Sequence, residues 1–251
     1  MRRNISGRIV GTKERKQREF AERERQFLDA AYELVSANGL LNLQVSKVAE
    51  KCEYAVGTLY QHFASKEDLL LALTTLQSQA HTEMFRRVAQ WEARPRERMF
   101  AIAVADMIFV RNYPEHFRIA QYALCEVVWR AASAERRQDF LEAGRPIGEI
   151  VIGIVRDAVA AGDLALGGMS PEEVCTGLWA LCNGIHNLVH AEGVLEDFAV
   201  GDSYLLMCRH VQAMLNGLGW QPLADPEDVR ATDRLIQRIT NEVFHDLCPA
   251  Q

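Results

Sequence analysis

No apolar run in this chain approaches the roughly 20 residues that a membrane-spanning helix requires. Even the stretch from Ala101 to Val110 is broken by Asp106. The six cysteines, at 52, 125, 175, 182, 208 and 248, include no C-x-x-C pair. That spacing removes the zinc ribbon and the thioredoxin-type redox site and leaves most of the thiols as small buried apolar groups. There is no nucleophile elbow, phosphate-binding loop, His-Glu-x-x-His or dinucleotide fingerprint, so neither an enzyme nor a cofactor is expected. The basic start, Met1 to Arg25, is interleaved with glutamates and lacks the apolar core of a secretion signal. The expected location is therefore the cytoplasm, with no membrane partner. Lysine is missing after Lys66.

That last absence reflects a division of charge. Up to Thr75 there are 12 Lys and Arg against 10 Asp and Glu, and beyond it 16 against 24. A polyanionic partner is thus expected at the start of the chain, where the excess is positive. The 49% hydrophobic content is that of a folded protein rather than a disordered one.

Apolar spacing is helical almost throughout and nowhere alternates like a hairpin, which predicts an all-α chain of about nine or ten helices. The first segment runs from about Lys13 to Asn38 and ends at Gly39. Short helices follow near 45–52 and 55–63. Ser65-Lys-Glu-Asp68 has the form of a capping box opening a helix toward Trp91. Further segments cover 96–112, 114–130 and 134–161, with a kink or boundary expected between Gly144 and Pro146. Ser170-Pro171-Glu172-Glu173 opens a helix to about Glu192. Another spans 202–216, and Asp225-Pro226-Glu227-Asp228 caps a tail helix.

Two short helices joined by a tight turn and packed on a longer one form a helix-turn-helix, whose second helix can enter the major groove of DNA. The residues sharpen this: Val48-Ala49 in the second helix, Gly57-Thr58-Leu59-Tyr60-x-His62-Phe63 in the third, and Lys66-Glu67-x-Leu69-Leu70 at the start of the fourth. Over about residues 20 to 75 the chain resembles the TetR family of transcriptional regulators. The resemblance implies a basic arm over 1–19, a three-helix DNA-binding domain over 20–75, and a larger helical effector-binding and dimerisation domain over 76–251. It also implies a homodimeric repressor released from a near-palindromic DNA operator by a small molecule.

Side-chain chemistry agrees with this picture. Leu59 and Phe63 are four apart and face the core, which turns Val56, Thr58, Tyr60, Gln61 and His62 outward. Gln61 suits an adenine edge, and Val56 and Thr58 suit thymine methyls. Gly57 lets the backbone approach the duplex. Tyr60 and His62 stand at family positions that hold phosphates, Ser46 and Lys47 at second-helix positions that contact DNA. Lys66 adds its charge to a helix N-terminus. One departure concerns the turn, where Cys52-Glu53-Tyr54 replaces the usual Ala-Gly-Val; a left-handed Glu53 would cost about 1 kcal/mol relative to glycine.

For the second domain the resemblance puts the dimer contact on the helices near 171–192 and 202–217, where Gly177, Ala180 and Gly184 allow close approach. Phe109, Tyr113, Phe117, Tyr122 and Trp129, with the polar Asn183, His186 and Asn187, are the candidates for an effector pocket. Their character favours a hydrophobic or amphipathic effector. Two alternatives stay open. Cys182, His186 and His190 share a helix face and make a metal- or thiol-responsive regulator conceivable, although no metal is expected. A DNA-binding protein without any effector is the other.

Overall fold

Most of the long helices begin where a side-chain oxygen or a proline replaces the partners that a first helical turn lacks. The computed structural model describes residues 11–76 and 78–247 and is all-α over that range. The first half holds α1 (Thr12–Asn38), α2 (Val45–Lys51), α3 (Val56–Leu59), α4 (Lys66–Thr75), α5 (Ser78–Gln90), α6 (Pro95–Asn112) and α7 (Pro114–Ala123). The second holds α8 (Glu126–Ala131), α9 (Ala134–Ala160), α10 (Pro171–His190), α11 (Val194–Asp197), α12 (Ser203–Gly217) and α13 (Val229–Val243).

There are more helices than the nine or ten expected. The segment expected over 65–91 is described as α4 and α5 on either side of residue 77. The one expected over 114–130 divides at Cys125, whose extended backbone caps α8, and α11 adds a single turn. At Gly144 to Pro146 the boundary does not occur. Pro146 lies inside α9, which continues through it although the proline forfeits the bond to the carbonyl four residues back and crowds that carbonyl. Ser133 and Ser170 cap α9 and α10, the latter in a full capping box with Glu173. Asp228, rather than Asp225, caps α13.

Two apolar clusters result. The body cluster is built on α6, buried along most of its length, with α5, α9, α10, α12 and α13 around it. Arg96 is buried there too, donating to the Trp220 carbonyl, Gln212 Oε1 and Asn216 Oδ1 at 2.7–2.8 Å. Burial lowers its pKa to about 10. The head cluster joins Phe27, Ala31 and Val35 of α1 to Val48, Leu59, Phe63 and the leucines of α4. It continues into Ile119 and Ala123 of α7 and Val128 of α8. Leu69 to Leu73 are all buried because α4 is enclosed by α1 on one side and by α7 and α9 on the other.

The turn between α2 and α3 has a defined chemistry. Tyr54 N–H bonds to the Ala49 carbonyl and Glu53 N–H to that of Glu50, both at 3.0 Å, the pair of bonds of a Schellman motif. Its left-handed position is held by Glu53 at φ 61°. Tyr54 meets the edge of Phe27 at 5.4 Å and carries the Arg23 guanidinium 5.4 Å above its ring. The larger side chain is thus absorbed by α1. Glu53→Gly should relieve the strained φ and raise stability by about 0.5–1 kcal/mol. A higher urea midpoint at unchanged slope is the expected readout; a lower one would mean that the Glu53 side chain offsets its own strain.

Candidate nucleic-acid interface and effector site

Leu59 and Phe63 are fully buried, and this anchoring turns the first residues of α3 to the outside. Ser46 and Lys47 on α2 and Val56, Gly57, Tyr60 and Gln61 on and after α3 are exposed; Thr58 and Lys66 are half-buried. A methyl group built on Gly57 would meet nothing within 4 Å, so the backbone there lies open. Lys66 is the first residue of α4, next to the Ser65 cap that accepts from Asp68 N–H. Lys47 pairs with Glu50 at 2.8 Å and Lys51 with Glu33 at 2.9 Å. Their mutual hydrogen bond raises the pKa of Lys47 and lowers that of Glu50.

His62 is a correction. Its side chain is wholly buried, stacked on Phe20 at a centroid distance of 3.8 Å and edge-on to Phe27 at 5.5 Å. Residues three apart share a helix face as closely as residues four apart, so His62 follows Leu59 inward. The segment also tightens after Leu59, with i to i+3 bonds from Gln61 N–H to Thr58 and from His62 N–H to Leu59. α3 is accordingly shorter than the expected 55–63. Burial, the largest influence, lowers the pKa of His62 against the opposing effect of Glu24, and the ring is not available to a phosphate. Of the basic arm, Arg2, Arg3 and Arg8 lie outside the described residues. Lys13, Arg15, Lys16 and Arg18 lie on the exposed first turns of α1.

In the body, four of the expected effector residues come together and four do not. His186 belongs to a polar centre that sequence reading missed, Phe109 and Phe117 lie against its imidazoles, and Tyr113 packs on Phe109. Asp106 on α6 accepts from His81 of α5 at 3.1 Å and from His186 of α10 at 2.9 Å. Burial pushes the Asp106 carboxyl up, but the two imidazoles together outweigh it and hold it well below the usual carboxylate range. His81 stacks flat on Phe109 at 4.1 Å, and His116 meets the edge of the same ring at 5.6 Å. Burial, aided by His81, pushes His116 down to about 4. Nδ1 of His116 and Nδ1 of His186 are buried without a hydrogen-bond partner among the described residues. The three-helix convergence of His81, Asp106 and His186 has no local sequence signature, because the residues are 25 and 80 positions apart.

The other four are placed elsewhere. Tyr122 is exposed. Trp129 packs on the head cluster, edge-on to Phe140 at 5.6 Å. Asn183 and Asn187 bond to the amide of Gln121 at 2.6 and 2.9 Å and pin α7 to α10. Cys182, His186 and His190 do not form a ligand set. His190 is taken by the His186 carbonyl at 2.8 Å, and burial raises the Cys182 pKa far above its ordinary value. Among the described residues, no group of three or more His, Cys, Asp or Glu is placed to hold a metal ion. Burial likewise pushes Cys175 up to about 11 and Cys208 up to about 12, so these thiols stay protonated at neutral pH. Gly177 serves a contact within the chain: a methyl there would meet Met214 Cε of α12 at 2.7 Å. Ala180 and Gly184 are exposed on α10 beside Trp179, which is 63% exposed.

Residues 27–73 match the family model described as bacterial regulatory proteins, tetR family. The Fatty acid metabolism regulator protein of Bacillus subtilis (strain 168) is 26% identical over 142 residues, 57% of this chain and 71% of that protein. The HTH-type transcriptional repressor KstR of Rhodococcus jostii (strain RHA1) is 45% identical over 51 residues, 20% of this chain and 24% of the relative. The crystal structure of FadR from Bacillus subtilis in complex with stearoyl-CoA shares the fold, with a TM-score of 0.58 at 20% identity, covering 77% of this chain and 98% of that one. The exposed face formed by α2 and α3 lies within residues 27–73, so the part of the chain that matches the helix-turn-helix domain of the tetR family of bacterial regulatory proteins is the part that presents this face, and the remainder shares the fold of the FadR structure.

Proposed function

We propose that the protein is a cytoplasmic homodimeric repressor that leaves a near-palindromic operator when a hydrophobic or amphipathic effector enters its body. The observation that carries the DNA half is the exposed, almost uncharged face formed by Ser46, Val56, Gly57, Tyr60 and Gln61 over the buried Leu59 and Phe63. Gln61 reads an adenine edge, Val56 and Thr58 contact thymine methyls, and Ser46, Lys47, Tyr60 and Lys66 hold phosphates. Pairing of two copies through the exposed Trp179, Ala180, Gly184 and Leu188 face of α10 would set two reading heads about one helical turn apart.

The effector half rests on the Asp106 centre. It joins α5, which follows α4 in the chain, to α10, and its surroundings are aromatic. An effector seated among Phe109, Tyr113, Phe117 and His186 would exchange these hydrogen bonds and favour a head separation that no longer fits DNA. Stearoyl-CoA, the ligand in the Bacillus subtilis FadR structure, is the first compound to try.

Selection of binding sites from random duplexes should return an inverted repeat, and sedimentation should give two chains per duplex. Gln61→Ala should cost about 1–3 kcal/mol and relax preference at one base of each half-site, whereas Lys47→Ala should weaken all duplexes alike and lower the salt slope by about 1. Equal losses on every sequence for Gln61→Ala would remove it from base reading. For the effector, stearoyl-CoA should release the duplex, and Asp106→Asn should retain DNA binding while raising the concentration needed by roughly tenfold. Duplex binding that ignores every added acyl thioester and small amphiphile would favour a regulator without an effector.

A further inference from the structure

Residues 62–68, which connect the recognition helix to α4, are held from outside the head by the first turn of α9. The Arg136 guanidinium donates to the His62 carbonyl at 2.9 Å and pairs with Glu24 of α1 at 2.9 Å. It also lies 5.1 Å from the centre of the Phe63 ring and 3.4 Å from Asp139 on its own helix. The Arg136 and Glu24 side chains are 18% and 20% exposed, so the pair is well shielded from water. Beside it, Ser133 N–H donates to Asp68 Oδ1 at 2.7 Å, while Ala64 N–H donates to Asp68 Oδ2 at 3.2 Å. Ser133 Oγ in turn accepts from Arg136 N–H at 3.2 Å. One turn of a body helix therefore grips α1, the exit of the recognition helix and the start of α4.

The rest of α9 suits a transmitting part. Its fully buried residues, Ile154, Val155 and Ala158, all lie in the last two turns, where the helix packs beside α10. The preceding half is only partly covered and carries Gly144, Pro146 and Gly148 at its middle. A proline flanked by glycines marks the position where a helix bends most readily. The gripping half is thereby separated from the half anchored in the body core.

We propose that Arg136 is a positioning residue for DNA reading: it fixes the orientation of the recognition helix against α1, and α9 is the strut through which the body sets that orientation. The proposal rests on the assignment of the reading face to α2 and α3. Misplacing that face removes base contacts, which depend on geometry, more than phosphate attraction, which depends on charge.

The test compares Arg136→Gln, Arg136→Lys and Glu24→Gln in the full-length protein, using an operator selected with the unmodified protein and a random duplex of equal length. For Arg136→Gln the ratio of operator to random affinity should fall roughly tenfold, as when a charge-assisted hydrogen bond is removed, with helical circular dichroism unchanged. Arg136→Lys should recover part of the ratio, since one ammonium cannot serve two acceptors in the geometry of a guanidinium. Glu24→Gln should fall between Arg136→Gln and the unmodified protein. Without DNA, amide exchange across residues 60–66 should be faster in Arg136→Gln by a similar factor. An unchanged ratio with unchanged exchange overturns the proposal, as does an equal loss on both duplexes with loss of helix, which would make the role purely structural. Failure to select any operator would count against the function proposed above, while the exchange measurement would still decide for or against the clamp.

Discussion

The buried carboxylate of Asp68 accepts from the Ala64 N–H inside the head and from the Ser133 N–H at the start of α9, and its own N–H is capped by Ser65. Each of these groups would otherwise be an orphan at a helix end, so a single residue satisfies the entry to α4 and the entry to α9 together. A buried carboxylate is costly unless its oxygens are filled by donors, and here the donors come from the approach to α4 and from the start of α9. An apolar replacement would leave two N–H groups without partners and would not know where α9 begins. The segment between α3 and α4 is tied to the start of α9 by these bonds, and the Arg136 and Glu24 pair extends the tie to α1.

Charge on the head is arranged around the reading face rather than within it. Lys47 and Lys51 are already paired with Glu50 and Glu33, and Arg136 is neutralised by Glu24. A phosphate approaching Lys47 would therefore have to replace Glu50, an exchange between two exposed partners of low cost. The net positive excess of the first 75 residues is small, and the acidic remainder of the chain works against loose adhesion to any duplex. On the function proposed above, discrimination would then fall to Gln61, Thr58 and Val56, whose contacts would require the helix to be well placed.

The local parts of this design were legible in the sequence, because they are written within a few residues. Gly39, Ser65 and the Ser170 to Glu173 capping box end or start helices where expected. The Glu53 turn was recognised as a departure and does adopt the left-handed conformation. Where contacts span the chain, the sequence was silent or misleading. His62 looked outward when only its neighbours four residues away were considered, and it is the stack with Phe20 and Phe27 of α1 that makes it a core residue. Trp129 has the composition of a pocket residue but belongs to the head cluster, because α8 folds back over α4. Asp106 appeared only as the residue interrupting an apolar run.

That interruption now has a physical meaning. Burying Asp106 inside α6 opposes folding, and a leucine would pack with less cost, since buried ionic centres are often less stable than apolar replacements of similar volume. What the carboxylate supplies instead is direction: it fixes the rotation of α6 against α5 through His81 and against α10 through His186. Arg96 does the same nearer the start of α6, binding the carbonyl of Trp220 and the side chains of Gln212 and Asn216, with no carboxylate partner among the described residues. α6 is thus registered at two points by hydrogen bonds that are satisfied in one arrangement of the helices and unsatisfied in others. Apolar contacts tolerate small slides, whereas these bonds do not. Bonds of this kind favour discrete arrangements over gradual deformation, which is the property a helix bundle would need if a change near α10 is to be felt at α4.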